Sequence, residues 1–302
     1  MKPLVSVLVP FHNEVETLPT LQKQLHEVFE KLQVSYELIA IDDGSTDESS
    51  KSLEEKNMTL IVQKRRNGKG RALEVGFEAA RGDIIIFMDA DLQDDPYDIP
   101  RFLAKMDEGY DLVNGWREQR NDPLNKTLPS KIFNAILLKG LLRSPFHDIN
   151  CGFKAMRREV LGHIQFYGDN YRFVPVIAHR LGFRVSEVPV VHHPREFGVS
   201  KYGFFRMMYG FFDTITTYFI TRFAQKPLHF FGPIGGVTFT IGTIITFVLT
   251  VERIFMGVEL YKRPMLLAGI FLSIVGLQII MTGIIAELIV YLHNQPKRKS
   301  EG

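Results

Sequence analysis

Through the first third of the chain, apolar residues fall into short unbroken runs separated by longer stretches with a helical repeat. Residues 4–9, 37–41, 60–62, 84–88 and 112–113 are compact and rich in Val, Ile and Leu, which predicts strands. The intervening stretches 15–32, 46–56, 69–81 and 97–108 read as helices. In the first of these, Leu18, Leu21, Leu25, Val28, Phe29 and Leu32 recur along one helical face. Strands that are apolar on both sides and alternate with helices predict an α/β fold, a mostly parallel sheet covered by helices. In such sheets ligands bind beyond the carboxyl ends of the strands. The polar clusters 10–14, 42–47 and 89–95 fall at those ends.

The pattern changes towards the C-terminus. Between Lys226 and Glu252 lie 25 residues without Asp, Glu, Lys or Arg, and between Arg263 and Glu287 lie 23 more. A bilayer core of about 30 Å is crossed by roughly 20 apolar residues, so both stretches predict transmembrane helices. Gly235 and Gly242, and then Gly269, Gly276 and Gly283, recur every seven residues. Such stripes let helix backbones approach closely, within a hairpin or between copies of the chain as a homo-oligomer. Residues 203–226 are unusually aromatic, with Arg206, Asp213 and Arg222 interspersed, and predict an amphipathic helix in the membrane interface. The apolar run 4–9 is too short for a signal-peptide core, so residues 1–202 are expected as a cytosolic α/β domain. The hairpin 227–302 then returns the basic tail, with Lys297, Arg298 and Lys299, to the same side.

Whole-chain averages conceal this organisation. Apolar residues are 45%, charged residues 23% and the formal charge +2, values of an ordinary soluble protein. Divided along the chain, residues 1–122 carry 15 basic and 24 acidic side chains, residues 123–224 carry 14 and 6, and residues 225–302 carry 7 and 4. An acid-rich front is thus followed by a basic middle. The single cysteine, Cys151, excludes an internal disulfide framework and a Cys-rich zinc site.

The acids are informative by position. Asp89-Ala90-Asp91 directly follows the apolar run 84–88. Two carboxylates so close repel unless a cation or a hydrogen-bond network compensates. Mg2+ is typically held by one or two carboxylates plus substrate phosphates, and Gln93 adds a further oxygen donor. A metal-diphosphate site fits, against the alternative of a solvated acidic turn. In Asp42-Asp43-Gly44-Ser45-Thr46-Asp47, Ser45 or Thr46 can cap a helix, and Asp43 can accept a hydrogen bond from a nucleotide base. The basic turn Arg65-Arg66-Asn67-Gly68-Lys69-Gly70-Arg71 opens a helix and can approach a diphosphate. Its spacing is neither that of a Walker A loop nor that of the dinucleotide-binding glycine motif, which excludes those enzyme classes.

Taken in order, Val9-Pro10-Phe11-His12-Asn13-Glu14, Asp42-Asp43-Gly44-Ser45-Thr46-Asp47, Arg66-Asn67-Gly68-Lys69-Gly70 and Asp89-Ala90-Asp91-Leu92-Gln93 resemble glycosyltransferase family 2, with its GT-A fold. Asp91-Leu92-Gln93-Asp94, Asn150-Cys151-Gly152-Phe153-Lys154 and Arg195-Glu196-Phe197-Gly198-Val199-Ser200-Lys201-Tyr202, followed by membrane helices, are similar to its polyprenyl-phosphate sugar transferases. The resemblance covers about residues 4–225. It implies that Pro10, Phe11, Glu14, Asp42 and Asp43 line a nucleotide-sugar pocket with Lys69 and Gly70 beside it. It further implies that Asp89, Asp91 and Gln93 hold Mg2+ or Mn2+, and that Asp148 lies near the reaction centre, as a base or an orienting group. Asp169 is a lesser candidate for that role. Arg117, Arg195, Ser200 and Lys201 are expected on phosphate groups, with Asp91, Asp148 and Arg117 as the catalytic set.

The implied reaction is inverting transfer of one hexose from a nucleotide-sugar to undecaprenyl or dolichyl phosphate, with UDP-hexose favoured over GDP-mannose. Absence of the Gln-x-x-Arg-Trp signature of processive synthases argues for single-sugar transfer, Trp116 being the only tryptophan. Rival readings are a family 2 enzyme acting on diacylglycerol or ceramide, and a non-catalytic nucleotide-sugar-binding module. The expected location is a prokaryotic plasma membrane among its lipids, with the α/β domain and both termini cytosolic and no nucleic-acid partner.

Overall fold

A computed structural model of the chain describes residues 4–53, 58–118, 145–164, 166, 170–194, 215–216, 218–219, 222–223, 226–257 and 264–293. They fall into two compact units, Met1–Thr217 and Tyr218–Gly302.

The first unit is built on a seven-stranded sheet. Its strands are β1 (Val5–Phe11), β2 (Tyr36–Asp42), β3 (Met58–Val62), β4 (Ile84–Phe87), β5 (Leu112–Trp116), β6 (Lys154–Arg157) and β7 (Val185–Pro189), in the order β3-β2-β1-β4-β6-β5-β7. All pairings are parallel except those of β6, which runs antiparallel between β4 and β5. The α/β reading and the mostly parallel sheet therefore stand. Helices α1 (Leu18–Leu32) and α3 (Ile99–Asp107) cover one face of the sheet through Leu25, Phe29 and Phe102. Helices α2 (Lys69–Ala79), α4 (Arg158–Gly162) and α5 (Val174–Arg180) cover the other through Leu73, Val160 and Val174.

Three features depart from the pattern-based expectation. The strand expected over 4–9 continues to Phe11, pairing Phe11 with Asp42, so Pro10 and Phe11 belong to the strand tip. The helix expected over 46–56 is, within its described part, one 3-10 turn at Ser49–Lys51. Asp47 accepts from the Ser49 amide at 3.0 Å, and the Ser50 hydroxyl donates to Asp42. Local side-chain bonds of this kind compete with a helix. The third is β6, α4, α5 and β7, which carry no clear hydrophobic period in the basic middle of the sequence. The juxtamembrane helix expected at 203–226 lies largely outside the described residues.

The second unit is a helical hairpin of α6 (Leu228–Met256) and α7 (Pro264–His293). Both are long and apolar enough to cross a membrane, with most of their side chains unburied in the hairpin. Large residues such as Phe247 and Phe271 point outwards, about two-thirds exposed. The glycine stripe is taken up between the two helices. A Cβ on Gly235 would lie 2.7 Å from the Gly276 carbonyl, and one on Gly283 would lie 2.8 Å from Phe231 Cβ. Glu287 accepts a 3.0 Å hydrogen bond from the Leu228 amide, capping the start of α6 from the neighbouring helix. Tyr218, Phe219, Phe223, Phe230 and Phe231 cluster at that same end.

Candidate active site

The carboxyl ends of β1, β2 and β4 open onto a cleft of about 230 Å³. Pro10, Phe11, Glu14, Asp43, Lys69, Asp89 and Asp91 line it, together with Arg66 and Gly68 of the basic turn and with His12 and Ala90. Asp42 and Gly70 are both buried, and neither is in the lining. Asp42 is committed to its own loop, accepting from the Ser45 amide at 2.7 Å and from the Ser50 hydroxyl. Asp43 ties two loops together. Its carboxylate accepts from the backbone amides of Asn67 at 2.7 Å and Gly68 at 2.9 Å, pinning the basic turn that opens α2. Asn13, at φ 59°, pairs with Thr46 through amide and side chain and ties the loop after β1 to the loop after β2.

Asp89 stands just past β4 and is ion-paired with Lys69, the first residue of α2. The Lys69 ammonium also lies 4.9 Å from the centre of the Tyr171 ring. Burial pushes the Asp89 pKa up, but Lys69, then Lys154 and Arg117, outweigh it and hold the carboxyl below its ordinary range. Burial likewise opposes the Lys69 charge, and Asp89 with Tyr171 and Asp94 overcomes it, raising the pKa. Asp89 is therefore an ionised oxygen donor. Between Asp91 and Gln93, Leu92 takes φ 58°, a conformation that non-glycine residues rarely adopt. The turn it makes lets the Gln93 amide donate to Asp91 Oδ1 at 3.3 Å.

Among the described residues, no group of three or more His, Cys, Asp or Glu side chains gathers to enclose an ion. Two hard carboxylates on an open cleft suit Mg2+ or Mn2+, whose remaining ligands come from phosphate and water. Asp89 and Asp91 are the residues that fit such an ion.

A second centre lies at the end of β5. Arg117 and Asp148 form a two-pronged ion pair, Nε to Oδ2 at 2.7 Å and an outer nitrogen to Oδ1 at 3.1 Å. Burial opposes the Arg117 charge, yet the hydrogen bond and charge of Asp148 raise its pKa, so it stays a cation. Asp148 is 2% exposed, and it is held in place from β7. There Glu187 accepts from the His147 amide at 2.9 Å and the Asp148 amide at 3.3 Å. His147 stacks on Trp116, with ring centres 4.3 Å apart. Beneath lies Lys154, 1% exposed, donating to the carbonyls of Ile149, at 3.3 Å, and Cys151. Burial lowers the Lys154 pKa to about 8 and pushes the Cys151 thiol up to about 12.

Beyond β7 the chain is fastened to the acidic loop. The His193 amide donates to the Gln93 carbonyl at 2.9 Å, His193 Nε2 lies 3.2 Å from Asp95, and the Val191 amide donates to Asp98 at 2.8 Å. This segment leads directly into Arg195, Ser200 and Lys201, which lie outside the described residues, as does Asp169. Lys154, Glu187, Tyr171 and His147 are site neighbours that sequence reasoning missed. Only Lys154 had a signal, its place at the end of the Asn150-Cys151-Gly152-Phe153-Lys154 motif.

Residues 6–165 match the family model for glycosyl transferase family 2. The chain belongs to that family. It is a glycosyltransferase with a GT-A-type fold. It is 32% identical to an undecaprenyl-phosphate 4-deoxy-4-formamido-L-arabinose transferase of Proteus mirabilis, across 98% of this chain and 91% of that protein. It is 34% identical to a dodecaprenyl-phosphate galacturonate synthase of Rhizobium johnstonii, across 94% and 87%. Both matches run far beyond the cleft and into the two apolar helices. Among solved structures, mannosyl-3-phosphoglycerate synthase from Rubrobacter xylanophilus superposes with a TM-score of 0.59 at 17% identity, covering 72% of this chain and 74% of that one. Glucosyl-3-phosphoglycerate synthase from Mycobacterium tuberculosis, crystallised with Mn2+ and UDP-glucose, superposes with a TM-score of 0.54 at 22% identity, covering 72% and 79%. These likenesses show the shared fold.

Proposed function

We propose that this glycosyltransferase moves a single sugar from a nucleoside-diphosphate donor to polyprenyl phosphate, with inversion, at the cytosolic face of a bacterial plasma membrane. The observation that carries the reading is the extent of the likeness to polyprenyl-phosphate sugar transferases. It takes in the acidic cleft, the Arg117–Asp148 centre and both apolar helices. The donor nucleotide lies along Pro10, Phe11 and Glu14, with Arg66, Gly68 and Lys69 facing its diphosphate. Asp89 and Asp91 hold Mg2+ or Mn2+, with Gln93 adjoining. When bound, the ion neutralises charge developing on the leaving diphosphate.

The acceptor is already an anion near neutral pH, so it needs little help from a base. Asp148 supports that view, since Arg117 engages both of its oxygens. Asp148 serves to orient Arg117, whose guanidinium meets the acceptor phosphate together with Arg195, Ser200 and Lys201. A carboxylate already bridged in this way is poorly placed to take a proton from a neutral alcohol. That favours polyprenyl phosphate over diacylglycerol or ceramide. A UDP-hexose is the preferred donor, on the two-span anchor that the resemblance associates with UDP-sugars.

Purified full-length protein, given Mn2+, polyprenyl phosphate and a panel of nucleotide-sugars, yields a polyprenyl-phosphate-linked sugar identified by mass. The panel contains UDP-hexoses, a UDP-uronate, a UDP-formamidopentose and GDP-mannose. Product from none of them overturns the proposal, and product on diacylglycerol or ceramide transfers it to the rival acceptor. Arg195→Ala abolishes transfer while nucleotide binding persists.

A further inference from the structure

We infer that Glu187 and Lys154 are positioning residues that clamp the 147–152 segment and thereby set the acceptor centre against the donor site. The inference rests on the proposed function for its catalytic arm. The segment has a job at each end. Asp148 engages Arg117 at one end, and Gly152 packs against the Asp89 carboxylate at the other. Whatever fixes this short stretch fixes the spacing between the two halves of the site.

The clamp has opposite chemistry at its two ends. Glu187, reaching across from β7, accepts the backbone amides of His147 and Asp148 and lies 2.8 Å from His147 Nδ1. Asn114 Nδ2 donates to Glu187 as well, at 3.3 Å, and to the Asp148 carbonyl at 2.7 Å. Lys154, rising from β6, donates to the carbonyls of Ile149 and Cys151. An anion thus gathers the N–H groups and a cation the C=O groups, the pairing that makes the strongest hydrogen bonds. A neutral lysine amine keeps two N–H donors for its two carbonyls, so the clamp persists at any proton count. Neither side chain lines the cleft. A fully buried lysine is costly when a methionine would fill the same volume, unless its hydrogen bonds have a use.

The molecule carries its own reporter of this segment. Trp116 is the only tryptophan, and it stacks on His147, whose amide Glu187 holds. The experiment compares Glu187→Gln, Glu187→Leu and Lys154→Met in the full-length protein. It reads Trp116 emission, UDP affinity with Mn2+, melting temperature and kcat for sugar transfer. Expected are altered Trp116 emission, UDP affinity within about threefold of wild type, and a kcat loss of about 10- to 100-fold, as displacements near 1 Å produce. The loss is graded, with Gln, which keeps an acceptor oxygen, milder than Leu. A lowered melting temperature with wild-type kcat and emission overturns the inference, because the residues then serve stability alone. Loss of UDP affinity in step with kcat also overturns it, placing them at the donor. If Lys154→Met does not fold, the Glu187 series decides. Absence of transfer by the wild type refutes the proposed function, while emission and UDP affinity still test the clamp.

Discussion

Gly152→Ala tests the link between the acceptor segment and the acidic loop at a single atom. Gly152 does not have a positive φ, so alanine suits its backbone. The added Cβ would lie 2.6 Å from Asp89 Oδ2, 2.9 Å from its Cγ and 3.1 Å from Oδ1. Ordinary contact begins near 3.4 Å, so the nearest oxygen must retreat by about 0.8 Å. The shift is resisted by the short Asp89 side chain and by its ion pair with Lys69. Overpacking of this kind costs about 1–3 kcal/mol. A displacement near 1 Å in a catalytic group costs about 100-fold in rate. The assay is sugar transfer at saturating donor with a Mn2+ titration, and melting temperature as the folding control. The expected result is a loss of about 100-fold with a raised Mn2+ requirement. Gly162→Ala, whose Cβ would meet nothing within 4 Å, is the silent comparison. Activity of Gly152→Ala within twofold of wild type, at unchanged Mn2+ dependence, would refute the reasoning.

Two further expectations follow from buried charge. Lys154 has a folded pKa of about 8 against an ordinary 10.5. The unfolded chain therefore binds the extra proton between those values, and stability rises with pH across that window, by up to roughly 3 kcal/mol. Melting measured from pH 7.5 to 10 should show wild type gaining on Lys154→Met, and a constant gap between them would contradict it. In the hairpin, Glu287→Leu removes the acceptor of the Leu228 amide and should cost about 0.5–2 kcal/mol, as loss of a helix cap does. Glu287→Gln, which keeps an oxygen there, should melt close to wild type in the same detergent, and equal loss in both variants would point to charge instead of capping.

What could be read in advance was whatever repeats locally. The runs at β1, β2 and β4 are apolar on both sides, so their strands and the ligand-binding end of the sheet were legible without coordinates. So was the place of Asp89 and Asp91 at that end, directly beyond a buried run. The described part of 46–56 was misread because Ser and Asp side chains bond their own backbone there, which a hydrophobic period does not register. Strand β6 has four residues, one of them a buried lysine, and its antiparallel seat between β4 and β5 depends on contacts distant in sequence. Glu187 is illegible for the same reason. Its partners at 114, 147 and 148 are about 40 to 70 residues away, and nothing in its own neighbourhood marks it.

The charge asymmetry also changes meaning once side chains are placed. An excess of acids in residues 1–122 invites the picture of an anionic donor cleft, yet such a cleft would repel a diphosphate. Several of these acids are committed within the domain instead. Glu37 pairs with Arg81, Asp98 with Arg101, and Asp43 holds the amides of the basic turn. What faces the cleft is mixed: Glu14, Asp43, Asp89 and Asp91 beside Lys69 and Arg66. Lys154 and Arg117 bear on the same carboxylate from outside it. Lys154 belongs to the basic middle of the chain and Arg117 to the acidic front. A cation of the basic middle therefore reaches the acidic loop at Asp89. That arrangement resolves the conflict between a metal, which needs anions, and a diphosphate, which needs cations.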